Sequence, residues 1–255
     1  MSRDKQRPQD RPSWDQRYAD GELPWDSGKE DVHLGEVIER HGIEAGKALE
    51  IGCGTGTNTI WLARQGFEMT GLDLAPNAVA KARSKVAAAG VACELLVRDF
   101  LVDEVPGGPF RFVYDRGVLH VFDTPKERSR FASRIAELLA PGGMWHSLIG
   151  STDGPPRDTG PPRRRATEVV AAVEPHFEIL ELSASTFDRD DHRSARAWVL
   201  VARRRARELP EGGAEEQTTG ARDAEEGAVR FTGLRVRRRQ GSPADASSSA
   251  RARRP

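Results

Sequence analysis

The 255-residue chain is poor in cysteine, tyrosine and methionine, and has no long apolar run. Neither Cys53 nor Cys93 has a second Cys or a His beside it at metal-ligand spacing, so a zinc site is not expected. No stretch approaches the ~20 consecutive apolar residues that a membrane helix requires, and no membrane association is expected. Residues 1–12 are charged and lack an apolar stretch, which argues against a secretory signal and makes the cytoplasm the default compartment. Net charge is also absent: 39 basic residues balance 39 acidic ones. A protein that works mainly by gripping nucleic-acid phosphates needs a basic surplus, so nucleic acid is not the expected partner.

The charge that is present is unevenly placed. Residues 203–255 hold 13 of the basic and 8 of the acidic side chains, so the rest of the chain carries five more acids than bases. That tail has few large apolar residues and many Arg, Gly, Ser and Glu, a composition that cannot offset its ordering entropy. It reads as a disordered extension over 204–255. Its one apolar patch, 229–236 (VRFTGLRV), is a chance cluster or a short binding strand. Residues 1–12 read as a frayed terminus, which leaves 13–203 as one domain of ordinary size.

Within that domain, apolar stretches alternate between two periods. Strands are expected at 48–51, 67–72, 92–97, 110–114, 144–149, 179–183 and 197–202. Helices are expected at 31–40, 58–64, 76–89, 125–139 and 168–173, with a helical turn and then a loop in the aromatic segment 14–25. Strands separated by helices form a parallel sheet. The link 185–196 has no apolar helical stripe, and an antiparallel return needs no helix. The last strand is therefore expected to run antiparallel.

The first strand ends in Leu49-Glu50-Ile51-Gly52-Cys53-Gly54-Thr55-Gly56, and a helix begins near Asn58. Glycine permits the sharp bend and a close approach by a ligand, and the helix start turns its free N–H groups to the same space. In an open α/β sheet that space is the ligand crevice. The spacing is Gly52-x-Gly54-x-Gly56, not the G-x-G-x-x-G of a dinucleotide site, and a Glu50 carboxylate beside the bend suits a cation better than a pyrophosphate. Asp73-Leu74 ends the second strand 21 residues after Gly52, close to the offset of an acid that accepts from ribose hydroxyls. Asp99-Phe100 ends the third strand, where a carboxylate can accept from an adenine amino group and a ring can pack on it. Tyr114-Asp115-Arg116-Gly117 ends the fourth. Four such features at four successive strand ends point to one crevice.

The run ALEIGCGTGTNTIWLARQGFEMTGLDLAPNAVAKAR resembles the cofactor half of class I S-adenosylmethionine-dependent methyltransferases. The resemblance implies a Rossmann-like α/β fold: a mostly parallel seven-stranded sheet, an antiparallel seventh strand and helices on both faces. It implies that Glu50, Gly52 and Gly54 face the methionine part of the cofactor, Asp73 the ribose, and Asp99 with Phe100 the adenine. Cys53, Thr55, Gly56 and Asn58 of the turn, with Leu74 and Asp115, complete the expected cofactor contacts. Three more stretches, WDQRYADGELPWD, DRGVLHVFDTPKERSRFA and GPPRDTGPPR, resemble the thiopurine methyltransferase and tellurite-resistance group over residues 13–203. That likeness implies a small-molecule acceptor, a thiol or another soft nucleophile. A thiolate needs no elaborate base, and methyl transfer from a sulfonium is largely a matter of alignment.

Several residues carry two readings. Trp14, Tyr18 and Trp25 either form a lid over the cofactor or pin the N-terminal segment to the core. Arg116 steers an anionic acceptor or pairs with an acid such as Asp115. His120 takes a proton from the acceptor or is a satisfied structural histidine. Arg163 closes the acceptor pocket or belongs to a solvated run. The rival functions are an O- or N-methyltransferase of a metabolite and, in a different class, a cofactor-binding regulatory module with a basic partner-binding tail.

Overall fold

A computed structural model describes residues 13–155, 160–188 and 195–205. The expected frayed terminus (1–12) lies outside the described residues, as does the tail from residue 206 with its 229–236 patch.

The elements run α1 (Trp14–Asp20), α2 (Leu34–Arg40), β1 (Lys47–Ile51), α3 (Thr57–Arg64), β2 (Glu68–Asp73), α4 (Pro76–Ala89), β3 (Cys93–Val97), β4 (Phe110–Arg116), α5 (Pro125–Leu138), β5 (Leu139–Gly150), α6 (Ala166–Val173), β6 (Phe177–Thr186) and β7 (Arg196–Arg204). One sheet holds all seven strands in the order β3-β2-β1-β4-β5-β7-β6. The pairs β1–β2, β2–β3, β1–β4 and β4–β5 are parallel. Only β7 is reversed, pairing antiparallel with both β5 and β6. The expected antiparallel ending is therefore found.

Period-two alternation sends side chains to two buried faces. Leu49, Ile51, Val113 and Trp145 meet Phe131 and Ile135 of α5 and Val169 and Val173 of α6. Ala48, Met69, Phe112, Tyr114 and Leu148 meet Leu34 and Val37 of α2 and Leu62 of α3. Ile60 of α3 and Val79, Ala82 and Val86 of α4 close the same face around Cys53 and Leu95. Helices thus cover both sides, and every parallel strand ends at one rim.

Three boundaries differ from expectation for identifiable reasons. The helix expected from residue 31 begins at Leu34, because Asp31 folds its Oδ1 onto the N–H of His33 (2.9 Å) in a side-chain turn. Pro141-Gly142-Gly143, expected as a turn before a short strand, lies inside β5. Phe110 pairs with Leu139 and Phe112 with Met144, so the extra residues bulge out, with Gly142 at φ 73°. Strands β6 and β7 exceed their expected lengths, since β7 is paired along both edges, and β7 continues to Arg204.

Candidate functional site

Where β1 leaves the sheet, Gly52, Gly54 and Gly56 all have positive φ (68°, 53° and 80°). A Cβ on Gly52 would stand 2.5 Å from Val118 Cγ2, and one on Gly54 2.9 Å from the Tyr18 hydroxyl. Only glycine fits both the backbone and the space. Gly56 caps α3 with no side-chain hydrogen bond, so the amides and positive end of that helix face the rim.

The acids beneath and beside this turn play unequal parts. Glu50 is buried on the α3 face of β1, where Thr59 Oγ1 and Asn58 Nδ2 both donate to its carboxyl. Burial outweighs those bonds and raises its pKa to about 8. The carboxyl expected to face the methionine part lies under the turn as its floor, held by α3 side chains. Asp73 stands at the end of β2, where its Oδ2 accepts from Gly54 N and its Oδ1 from Ala75 N, both at 2.9 Å. Each oxygen keeps a second acceptor site, as a pair of hydroxyls requires. Burial raises its pKa too, against the two amide bonds. Leu74 beside it is 55% exposed, an uncovered apolar side chain at the rim. Cys53 packs into the α3–α4 cluster, and burial lifts its thiol pKa well above normal.

At the end of β3, Asp99 Oδ1 accepts from Leu101 N (2.9 Å) in a local turn. Phe100, expected at the adenine, packs its ring edge-on to Phe131 (5.1 Å between centroids) and under Arg134. Asp115, also expected at the cofactor, is held from within the protein. It is fully buried and accepts from Val118 N, Leu119 N and Trp145 Nε1, which fixes the chain's turn out of β4.

A strap formed by residues 13–33 crosses the glycine turn. Asp15 of α1 accepts from the backbone and side-chain amides of Asn77 at the start of α4 (2.7 and 2.9 Å). Tyr18 is buried over Gly54, and Trp25 Nε1 donates to its hydroxyl (3.2 Å). Trp14 and Tyr18 pack edge-on to Trp25, with the Arg17 guanidinium 4.3 Å from the Trp25 centroid. Thr55 Oγ1 donates to Asp26 (2.6 Å), and Lys85 lies 3.8 Å from the same carboxylate. Asp31 N donates to Asn58 Oδ1 (2.8 Å), while Tyr114 donates to Asp31 Oδ2 (2.7 Å). The side chains of Thr55 and Asn58, expected at the cofactor, hold the strap. Asp26 sits in the WDQRYADGELPWD motif, Tyr114 in the feature that ends the fourth strand and Val118 in the DRGVLHVFDTPKERSRFA stretch, but local spacing assigns none of them these contacts; nothing in the local sequence marks Asp31.

On the acceptor side, the residues after β4 are held from several directions. Arg116 donates to the carbonyls of Trp25 (3.1 Å) and Phe187 (3.3 Å) and to Asp188 (3.3 Å), not to Asp115. His120 is buried, and its Nδ1 lies 2.8 Å from Gly150 N. A backbone N–H only donates, so Nδ1 is the acceptor and the neutral ring carries its proton on Nε2. The lone pair that a base needs is already engaged, which favours the structural reading of His120. Arg163 donates to Pro155 O (3.2 Å) within its own loop. Arg164 and Arg128 both donate to Phe122 O, and so hold the short 3-10 turn (Leu119–Val121) against the rim. Two hollows of about 330 and 190 Å³ lie away from this crevice, and their arginines, Arg111, Arg203 and Arg40, are paired with Glu44, Glu178 and Glu181.

Comparison with known proteins gives this rim a family. The thiopurine S-methyltransferase (TPMT) family matches residues 9–206, most of the chain. A probable thiol methyltransferase 2 of Arabidopsis thaliana is 31% identical over 151 residues, 58% of this chain and 65% of that protein. Thiocyanate methyltransferase 1 of Brassica oleracea is 28% identical over 162 residues, 63% of this chain and 70% of that one. The match thus spans just under two thirds of the Arabidopsis protein's length. A solved structure described as "Conversion of a Disulfide Bond into a Thioacetal Group during Echinomycin Biosynthesis" superposes with a TM-score of 0.61 at 26% identity, covering 71% of this chain and 84% of its own. The chain belongs to the thiopurine S-methyltransferase family, among the S-adenosylmethionine-dependent methyltransferases of Rossmann-like fold.

Proposed function

We propose that the protein transfers a methyl group from S-adenosylmethionine to a small molecule, a thiol or another soft nucleophile. The observation that carries this reading is the pairing of the three-glycine bend with Asp73, whose carboxylate is oriented by Gly54 N and Ala75 N and keeps acceptor sites for hydroxyls. The neighbouring acids add to it. Glu50 and Asp73 both have pKa values raised by burial, and the Asp73 charge adds to the shift at Glu50. A cationic ligand over the turn favours the charge on Asp73, whereas a pyrophosphate opposes it.

When bound, S-adenosylmethionine supplies an electrophilic methyl carbon on a sulfonium. The protein's part is to bind and align. Asp73 accepts from hydroxyls, Leu74 offers an apolar face, and the strap with Tyr18 over Gly54 excludes water. The Nδ1 lone pair of His120 is taken by Gly150 N, which suits a nucleophile that ionises on its own. No described helix is long and apolar enough to cross a membrane.

The test is calorimetry with S-adenosylhomocysteine. Micromolar binding that disappears in Asp73→Ala is expected, and the absence of heat with the unaltered protein overturns the proposal. Methylation of hydrogen sulfide, aromatic thiols and thiopurines is then measured as S-adenosylhomocysteine release. Turnover on hydroxyl or amine acceptors alone moves the reading to an O- or N-methyltransferase.

A further inference from the structure

Arg116 is placed where a substrate-steering cation is expected, yet its guanidinium joins two pieces of chain far apart in sequence. From the end of β4, Nη1 reaches Trp25 O in the strap (3.1 Å). Nη2 reaches Phe187 O and Asp188 Oδ1 just after β6 (both 3.3 Å). The guanidinium carbon also lies 5.2 Å from the Phe187 ring centroid, and the side chain is only 17% exposed. Each partner belongs to a different cover. Trp25 holds Tyr18 above Gly54 on the cofactor side. Phe187 is anchored to Ala195, ahead of β7, by its own amide (2.9 Å) and packs against the His120 ring on the acceptor side (6.0 Å).

We propose that Arg116 is a positioning residue that latches the N-terminal strap to Phe187 and Asp188 at the end of β6, so that these two stretches of chain move as one unit. Two of its bonds go to backbone carbonyls, so the latch reads the position of the main chain and not the identity of a side chain. A planar fork of donors spans two directions at once, which a single ammonium cannot do. The identification of the strap as a cover rests on the function proposed above; the joining of the two segments does not.

The test is hydrogen exchange on the full chain without ligand, followed by S-adenosylhomocysteine dissociation. The reporters are the Asp26 amide, bonded to Leu23 O (3.0 Å), and the Phe187 amide. In Arg116→Met both exchange faster by about the same factor, roughly tenfold, while amides of β1 keep their protection. Arg116→Lys does not restore them. Asp188→Asn, which weakens only the far arm, speeds both reporters by a smaller common factor. S-adenosylhomocysteine leaves Arg116→Met faster by a similar ratio. The latch is overturned if Arg116→Met loosens only one reporter or neither, or if its only effect is a higher acceptor KM, the mark of a steering residue. If Arg116→Met loses protection throughout β1 as well, the Arg116→Lys and Asp188→Asn variants decide by the same criterion. A failure of S-adenosylhomocysteine to bind counts against the proposed function and leaves the exchange result standing.

Discussion

The floor of the crevice and its cover are built by different physics. The floor is made of backbone conformation and burial. Three glycines at positive φ, a neutralised Glu50 and a saturated Asp115 are locked between packed helices. The cover is hung on side-chain polar contacts. Asp15, Asp26 and Asp31 reach to α4, the glycine turn and β4, and Arg116 reaches back to Trp25. Each such contact is individually worth about 1 kcal/mol or less. On the proposed function, a stiff floor fixes where the donor sits, and a cover held by several weak bonds is shed to admit it.

The comparison is broken most severely at Gly52. Gly52→Ala forces a Cβ into Val118 at a φ that alanine avoids. A stability loss of about 2 kcal/mol is expected by thermal melting. S-adenosylhomocysteine affinity should fall about 30-fold, equivalent to ~2 kcal/mol. Adding Val118→Ala should recover part of the stability by removing the clash, though not the backbone strain. If Gly52→Ala binds normally, the floor does not set the site.

Glu50 sharpens the contrast through pH. The fold keeps this acid protonated up to about 8, while the unfolded chain loses the proton near 4.5. Folded protein therefore binds more protons in that window, and stability falls as pH rises through it. Carried through the whole window, the loss is on the order of 5 kcal/mol. Glu50→Gln should melt higher than the parent at pH 8 and about equally at pH 5. The slope that remains includes that of Asp73 and Asp115, which burial shifts in the same direction. Equal slopes in parent and variant would show that Glu50 is ionised.

Tyr114 lies on the border between the regions. It is a floor residue by burial and a cover residue by its bond to Asp31. Tyr114→Phe leaves a buried carboxylate oxygen short of a donor, so unfolding by denaturant should show a loss of about 1–2 kcal/mol.

The same division decides what could be read from sequence. The floor is local: the bend, Asp73 and the strand ends follow from spacing and period within a few tens of residues, and the parallel sheet follows from the alternation of elements. The side-chain roles of Phe100, Thr55, Asn58 and Asp115 were not legible, because each depends on a partner distant in the chain or on which face of the rim it meets. Phe100 turns to Phe131 of α5, and Asn58 turns to Asp31. Nothing local to Phe187 announces that it meets Arg116.

The smallest expected effect isolates the cover. Asp26 accepts from Thr55 and faces Lys85 at the surface, and it touches neither the packed core nor Asp73. Asp26→Ala should change stability by less than about 0.5 kcal/mol, since a partly exposed pair adds little. If the strap covers the crevice, losing this tether makes the open form more common. S-adenosylhomocysteine should then dissociate about threefold faster with its association rate unchanged or slightly raised, a signature that stopped-flow Trp25 fluorescence reads directly. A lower association rate with no change in dissociation would instead mean that Asp26 guides the ligand in, and the strap would be an entry path and not a cover.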